Sequence, residues 1–156
     1  IGKTFGHLEQ SVFLKEIYSY EKGMPPEINL HNEKNNGECL LKLINKNLVL
    51  SSHDISTGGL IVALAEMSLG SNIGAKINKP KRLTNSINYF FGEDQARYII
   101  EVNNKDLSKI NKIFKENNVF FEIIGITQSD FLEIEDEFKI NIKDLFKINN
   151  EWYNNY

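Results

Sequence analysis

The stretch Asn47 to Gly70, "NLVLSSHDISTGGLIVALAEMSLG", passes from an apolar run through small polar residues and two adjacent glycines into a strong helical pattern. Leu48 to Ser52 reads as a short buried strand. Leu60 to Leu69 reads as a helix, because Ala63, Ala65, Glu66 and Met67 are good helix formers and Leu60, Leu64 and Met67 share a face, with Gly70 marking its end. A strand that feeds a helix through His53, Asp54, Ser56, Thr57, Gly58 and Gly59 points unpaired N–H groups and the positive end of the helix dipole at the space above the strand. Such a turn suits an anion. Glycine lets backbone approach a ligand, Ser56 or Thr57 can cap the helix or donate to a phosphate oxygen, Asp54 can hold magnesium or a hydroxyl, and His53 can donate a proton. The competing reading is an N-cap plus close packing, with the donors satisfied inside the fold. No standard nucleotide fingerprint is met, since the stretch is neither GxxxxGK[ST] nor GxGxxG.

Working outward, Ser11 to Tyr20 predicts an amphipathic helix ending by Gly23, and Pro25 and Pro26 force an extended connector. A second helix is expected over Asn32 to Asn45, with Leu40, Leu41 and Ile44 as its apolar face and Gly37 weakening its first half. Beyond the central helix come a strand over Ile73 to Ile77, a break at Pro80, a short helix before Gly92, a strand over Tyr98 to Val102 and a helix over Asp106 to Lys115. A strand over Phe120 to Ile126 with a bulge at Gly125, a hairpin of Phe131 to Ile134 with Phe138 to Ile140, and a helical turn or two over Ile142 to Ile148 complete the chain. Interleaved strands and helices that end in a hairpin predict an α+β fold, a mixed β-sheet covered by helices, as one domain over residues 1–156.

Of the 156 residues, 41% are apolar and 11% aromatic, enough for a core. A net charge of -3 without a basic stripe argues against nucleic acid as a partner. No apolar run approaches the roughly 20 residues that span a bilayer, and no signal pattern opens the chain, so no membrane role and a cytoplasmic location are expected. Cys39 cannot pair within the chain and is expected as a half-buried helical thiol, while His7 and His31 are expected on the surface. "IGKTFG" begins abruptly in what reads as a strand, without a start methionine, which suggests a fragment of a longer protein.

The residues carry a resemblance. "SSHDISTGGLIVALAEMSLGSNIGAKI" resembles the "AHDvSdGGLavALAEma" signature of the superfamily that unites aminoimidazole ribonucleotide synthetase, selenophosphate synthetase, thiamine-phosphate kinase and formylglycinamidine ribonucleotide synthetase. "IGKTFGHLEQSVFLKEIY" looks like "lGeTkgelGGSeYlk", and "YFFGEDQARYIIEV" like "LFgEsqgRfvvev", both typical of the last of these families. "MPPEINL" and "DLFKINNEWYNNY" stand where that family has its "PPxlDl" linker and terminal tryptophan-containing helix. Three motifs in the right order cover nearly the whole chain.

The resemblance implies the C-terminal domain of a synthetase subunit in de novo purine synthesis. Such an enzyme uses ATP and magnesium to activate a formamide oxygen as an iminophosphate, which glutamine-derived ammonia displaces to give the amidine; positioning and charge neutralisation carry most of such catalysis. Implied partners are the remaining domains of the subunit, a glutaminase subunit or domain as ammonia source, and small-molecule nucleotides. The family's catalytic histidines and metal ligands lie in other domains, so the fragment alone is expected to be inactive and to expose an apolar patch through which it can self-associate. His53, Asp54, Ser56, Thr57, Gly58 and Gly59 become nucleotide-facing candidates, with Glu93, Gln95 and Arg97 as a second polar turn that either meets phosphate or braces the domain. Asp54 is the possible metal ligand. Thr57 stands where the family usually has an acid, and "HLEQS" replaces "ELGGS", removing two glycines before Ser11. The alternatives are a structural domain framing a vacant pseudosymmetric nucleotide site, or a domain of another superfamily member such as selenophosphate synthetase.

Overall fold

Polar caps and apolar spacing set the helices. Ser11 starts α1 (Val12–Tyr18) by accepting from the Leu14 N–H, and Asn29 starts α2 (Leu30–Asn45) by accepting from the Asn32 N–H. The computed structural model describes residues 1–80 and 85–154; the last two residues of the closing "DLFKINNEWYNNY" segment lie outside these. The fold is α+β. Two compact units divide it, Ile1–Ala63 with Ile87–Glu122 and Leu64–Ser86 with Ile123–Tyr156.

In the first unit, β1 (Ser51–Asp54) pairs antiparallel with β3 (Tyr98–Glu101), with Ser51 opposite Glu101 and Asp54 opposite Tyr98. Helix α2 and α5 (Leu107–Glu116) supply the core. Asn36, Cys39, Leu40 and Leu43 recur at helical spacing along one buried face of α2, and Ile110, Ile113 and Phe114 do so on α5. Cys39, Leu43, Ile110, Ile113 and Phe114 form one apolar cluster with Leu48 and Val119, and the Phe121 ring, packed against it, stacks on Phe114 at 4.5 Å. The buried face of α2 is therefore rotated from the one expected: Leu41 and Ile44 are exposed, and the expected half-buried Cys39 is fully buried.

Helix α3 (Gly59–Ser71) follows β1, and the division between the units falls within it. Gly70 does not end it. Asn72, at φ 55°, supplies the left-handed residue that stops the helix.

The second unit holds a four-stranded mixed sheet in the order β4-β2-β5-β6, built from β2 (Gly74–Ile77), β4 (Gly125–Gln128), β5 (Phe131–Ile134) and β6 (Phe138–Asn141). Strand β2 runs antiparallel to β4 and parallel to β5, and β5 and β6 form the expected hairpin, turning at Asp136 with φ 57°. Ile77, Leu132, Ile134 and Ile142 are buried here. Helix α6 (Ile142–Asn154) runs well past the turn or two expected, and α4 (Ser86–Phe91), which from Ile87 onward belongs to the first unit, ends just before Gly92 as expected.

Two strand boundaries and the opening segment differ from expectation. β1 lies later than Leu48 to Ser52, because Leu48 belongs to the apolar cluster beneath α2 and α5 and the ladder with β3 begins only at Ser51. Phe120 to Ile124 is not a strand: Val119 and Phe121 pack into the helical core, and pairing with β2 starts at Gly125. Gly125 opens the strand instead of bulging it, since a Cβ there would lie 2.1 Å from the Lys76 carbonyl oxygen. The opening "IGKTFG" forms no regular strand, although the Tyr98 N–H donates to the Ile1 carbonyl at 3.1 Å.

Across β2, β5 and β6, the Glu133 carboxylate bridges Lys76 at 3.0 Å and Lys139 at 3.4 Å. The hydrogen bond from Lys76 is the main cause that holds the Glu133 carboxyl below the usual range and raises Lys76 above its own. The Glu133 contribution to stability is therefore present above the unfolded carboxyl value of about 4.3 and is lost as pH falls through the lower folded value; the Lys76 contribution is present below about 10.4 and is lost as pH rises through the higher one. Glu133→Gln should flatten the fall of the urea midpoint both as pH drops below the ordinary carboxyl value of about 4.3 and as it rises above the ordinary lysine value of about 10.4. An unchanged profile would show that the triad contributes nothing to folding.

Candidate functional site

The turn between β1 and α3 sits beside the loop Gly92 to Arg97, and hydrogen bonds explain why. His53 and Asp54 belong to the end of β1, where Asp54 pairs with Tyr98, and the Ile55 N–H donates to the Arg97 carbonyl at 2.9 Å. The turn proper is Ile55 to Gly58. Ser56 and Thr57 are exposed, whereas Gly58 and Gly59 are buried.

Both glycines are required by the fold. Gly58 and Gly59 have φ of 80° and 72°, and a Cβ on Gly59 would lie 2.7 Å from the Gly92 carbonyl oxygen and 2.8 Å from that of Phe90. The close approach is to the end of α4. The Gly58 N–H donates to Glu93 Oε1 at 2.8 Å, and the Gly59 N–H donates to the Ser56 carbonyl at 3.0 Å. Backbone donors that the sequence pattern would aim outward are thus engaged within the protein at these two positions.

Glu93 and its neighbours tie the N-terminal segment to this turn. Glu93 Oε1 also accepts from the Val12 N–H at the start of α1, at 2.8 Å, and the Glu93 N–H donates to the His7 carbonyl at 2.9 Å. Asp94 accepts from three successive amides, Phe5 and Gly6 on Oδ2 at 2.9 and 2.8 Å and His7 on Oδ1 at 3.1 Å. Arg97, 2% exposed, lies 4.0 Å from Asp94 Oδ2. Its Nε donates to the Asp94 carbonyl, Nη2 to the Gly92 carbonyl and Nη1 to the Thr4 hydroxyl. Burial lowers the pKa of Arg97 from its ordinary value, chiefly against the raising effect of Asp94. In the same unit, burial first and the Glu122 charge second push the Tyr89 phenol up to about 12, so it stays protonated.

Glu93 and Arg97 thus make their contacts within the protein, and Gln95 is the exposed member of the turn. The sequence signal that located Arg97 could not separate phosphate contact from bracing, because both need a guanidinium near a tight turn. Asp94 holds more of the segment than either neighbour, and nothing in "GEDQAR" distinguishes an Asp that accepts three amides from one that faces solvent. "HLEQS" also has a structural use. Glu9 accepts from the Met24 N–H at 2.7 Å, Gln10 donates to the Gly23 carbonyl at 3.1 Å, and His7 Nε2 lies 2.9 Å from the Met24 carbonyl oxygen. His7 is thus half-buried and engaged, while His31 is exposed as expected.

On the outer side of the turn, His53 Nδ1 lies 2.6 Å from the Asp54 carbonyl oxygen and 3.7 Å from Asp54 Oδ1. Asp54 is exposed. Among the described residues no three His, Cys, Asp or Glu side chains gather where they could hold a metal ion. Asp54 with His53 and Thr57 is too small an acidic set for magnesium, which takes oxygen ligands in octahedral array, so further carboxylates or substrate phosphates would have to complete such a site.

Asp94→Asn should cost about 1.5–3 kcal/mol in the first unit, because the amides of Phe5, Gly6 and His7 lose a charged acceptor. Gln95→Ala, one residue away and exposed, should change stability by less than about 0.5 kcal/mol. Urea denaturation of the two variants checks this, and equal effects would contradict the assignment of Asp94 as the anchor.

The sequence pattern described as "AIR synthase related protein, C-terminal domain" matches residues 7–136. The chain is 50% identical over 156 residues to the phosphoribosylformylglycinamidine synthase subunit PurL of Pelagibacter ubique and 40% identical to that of Rhodopseudomonas palustris strain TIE-1, covering 100% of this chain and 21% of each relative. It therefore spans about a fifth of the length of these curated relatives. Among solved structures, PurLQS from Thermotoga maritima aligns with TM-score 0.65 at 20% identity, covering 73% of this chain and 21% of that one. T. maritima PurL complexed with ATP aligns at 0.62 and 19%, covering 72% and 21%. At such identities the likeness concerns the fold alone. Among the described residues no helix is long and apolar enough to cross a membrane. With its pattern matched over residues 7–136, the chain belongs to the AIR synthase related protein family, in its C-terminal domain.

Proposed function

We propose that the chain acts as the C-terminal domain, residues 1–156, of the synthetase subunit of a phosphoribosylformylglycinamidine synthase, which joins ammonia to formylglycinamide ribonucleotide at the expense of ATP. The observation that carries this reading is the 50% identity to the P. ubique subunit along the entire chain. In this proposal the remaining domains of the subunit and a glutaminase are the partners, ATP with magnesium is the cofactor, and the enzyme works in the cytoplasm. Large apolar side chains exposed in the N-terminal segment, among them Phe5, Ile17, Met24 and Leu30, are assigned to contact with the rest of the subunit, or with a second copy when the chain is alone.

Within this reading, His53, Asp54, Ser56 and Thr57 face the nucleotide, because they lie at the outer side of the β1–α3 turn, with Gly58 and Gly59 shaping it. Ser56 and Thr57 hydroxyls can donate to phosphate oxygens without disturbing the turn. One observation favours the structural alternative, a domain framing a vacant nucleotide site: the Gly58 and Gly59 amides already have partners in the protein.

A chimera separates these readings. The 156-residue chain replaces the corresponding segment of the P. ubique subunit, and ATP-dependent amidine formation with ammonia is measured. The chimera should be active, the chain alone should show no turnover, and a folded, inactive chimera would contradict the proposal. In the active chimera, Asp54→Ala with Ser56→Ala should reduce the melting shift produced by ATP and magnesium, since stabilisation scales with affinity as RT ln(1 + [L]/Kd). An undiminished shift would favour the vacant-site alternative.

A further inference from the structure

The geometry points to Glu93 as the resident anion of the β1–α3 turn, a carboxylate that keeps phosphate from the amides of Val12 and Gly58. Two N–H donors from segments far apart in sequence converge on one oxygen, Oε1, each at 2.8 Å. Convergent amides of this kind otherwise recruit a phosphate or sulfate oxygen. Here the charge comes from the protein.

The backbone holds that carboxylate in place from both sides. The Glu93 N–H is fixed to the His7 carbonyl, and Asp94 beside it anchors Phe5, Gly6 and His7. Gly59 meets Phe90, Phe91 and Gly92 at distances that exclude a Cβ, so the turn is pinned against the residues immediately before Glu93. A phosphate arriving at the same two amides would have to displace the carboxylate or share the seat with a like charge, which is unfavourable at that spacing. Glu93 is thus a specificity-determining residue. It confines any phosphate contact at this turn to the exposed Ser56 and Thr57 side. The inference goes beyond the synthetase reading and does not depend on the activity of the whole subunit.

Amide resonances of the 156-residue chain, titrated with inorganic phosphate against chloride at matched ionic strength, test it. In the unsubstituted chain the Val12 and Gly58 amides should not move with phosphate; a saturable movement of both would overturn the inference. Glu93→Ala should make these two amides respond saturably, and a folded Glu93→Ala chain whose amides ignore phosphate would also overturn it. Glu93→Gln keeps an oxygen acceptor without the charge and guards against loss of fold. Without phosphate, it should shift the Val12 and Gly58 amide protons upfield together, as expected when a charged acceptor becomes neutral. Movement of only one, or of neither, would show that Glu93 does not hold both.

Discussion

Two neighbouring carboxylates, Glu93 and Asp94, hold five backbone amides from three stretches of the first unit: Phe5, Gly6 and His7 on Asp94, and Val12 and Gly58 on Glu93. Hydrogen bonds from backbone N–H groups to ionised oxygens are about twice as strong as neutral ones. Arg97 underlies both acids, buried and donating to the carbonyls of Gly92 and Asp94. Ile1 is held by Tyr98 and packs on the core, whereas the amides of Phe5, Gly6 and His7, which lie in no helix or strand, find their acceptor in Asp94 of this loop.

The same loop explains the form of the β1–α3 turn. Gly59 must be glycine because the end of α4 lies against it, and α4 leads directly into Glu93. In a motif with the outline of an anion cradle, the Gly58 and Gly59 amides are thus engaged from within, while Asp54, Ser56 and Thr57 remain exposed. That outcome accords with the absence of the family's usual acid at Thr57. With Glu93 on the amides of Val12 and Gly58, the turn holds two segments of the first unit together.

The kinds of element were legible wherever local pattern and tertiary demand agreed. Helices α2 and α5 carry apolar residues at helical spacing, and the β5–β6 hairpin alternates around a short polar turn, so each was foreseen. Boundaries failed where long-range pairing decides them. Leu48 and Phe121 look like strand residues, yet both join the helical core, and only the ladder partners at Glu101 and Ile77 fix where β1 and β4 begin. The end of α3 was misplaced because Gly70 is a better sequence signal than Asn72, although Asn72 takes the left-handed conformation. At the site, residue types identified the turn and the GEDQAR loop separately. Their hydrogen bonds to each other join positions 35 residues apart, which spacing alone does not reveal.

Amide hydrogen exchange on the 156-residue chain tests most directly whether the acidic loop organises the first unit. If it does, Phe5, Gly6, His7, Val12 and Gly58 exchange slowly and with a common opening free energy, close to that of the β3 amides, although the first three lie outside any helix or strand. Exchange of Phe5 to His7 at unprotected rates, while β3 stays protected, would contradict the account.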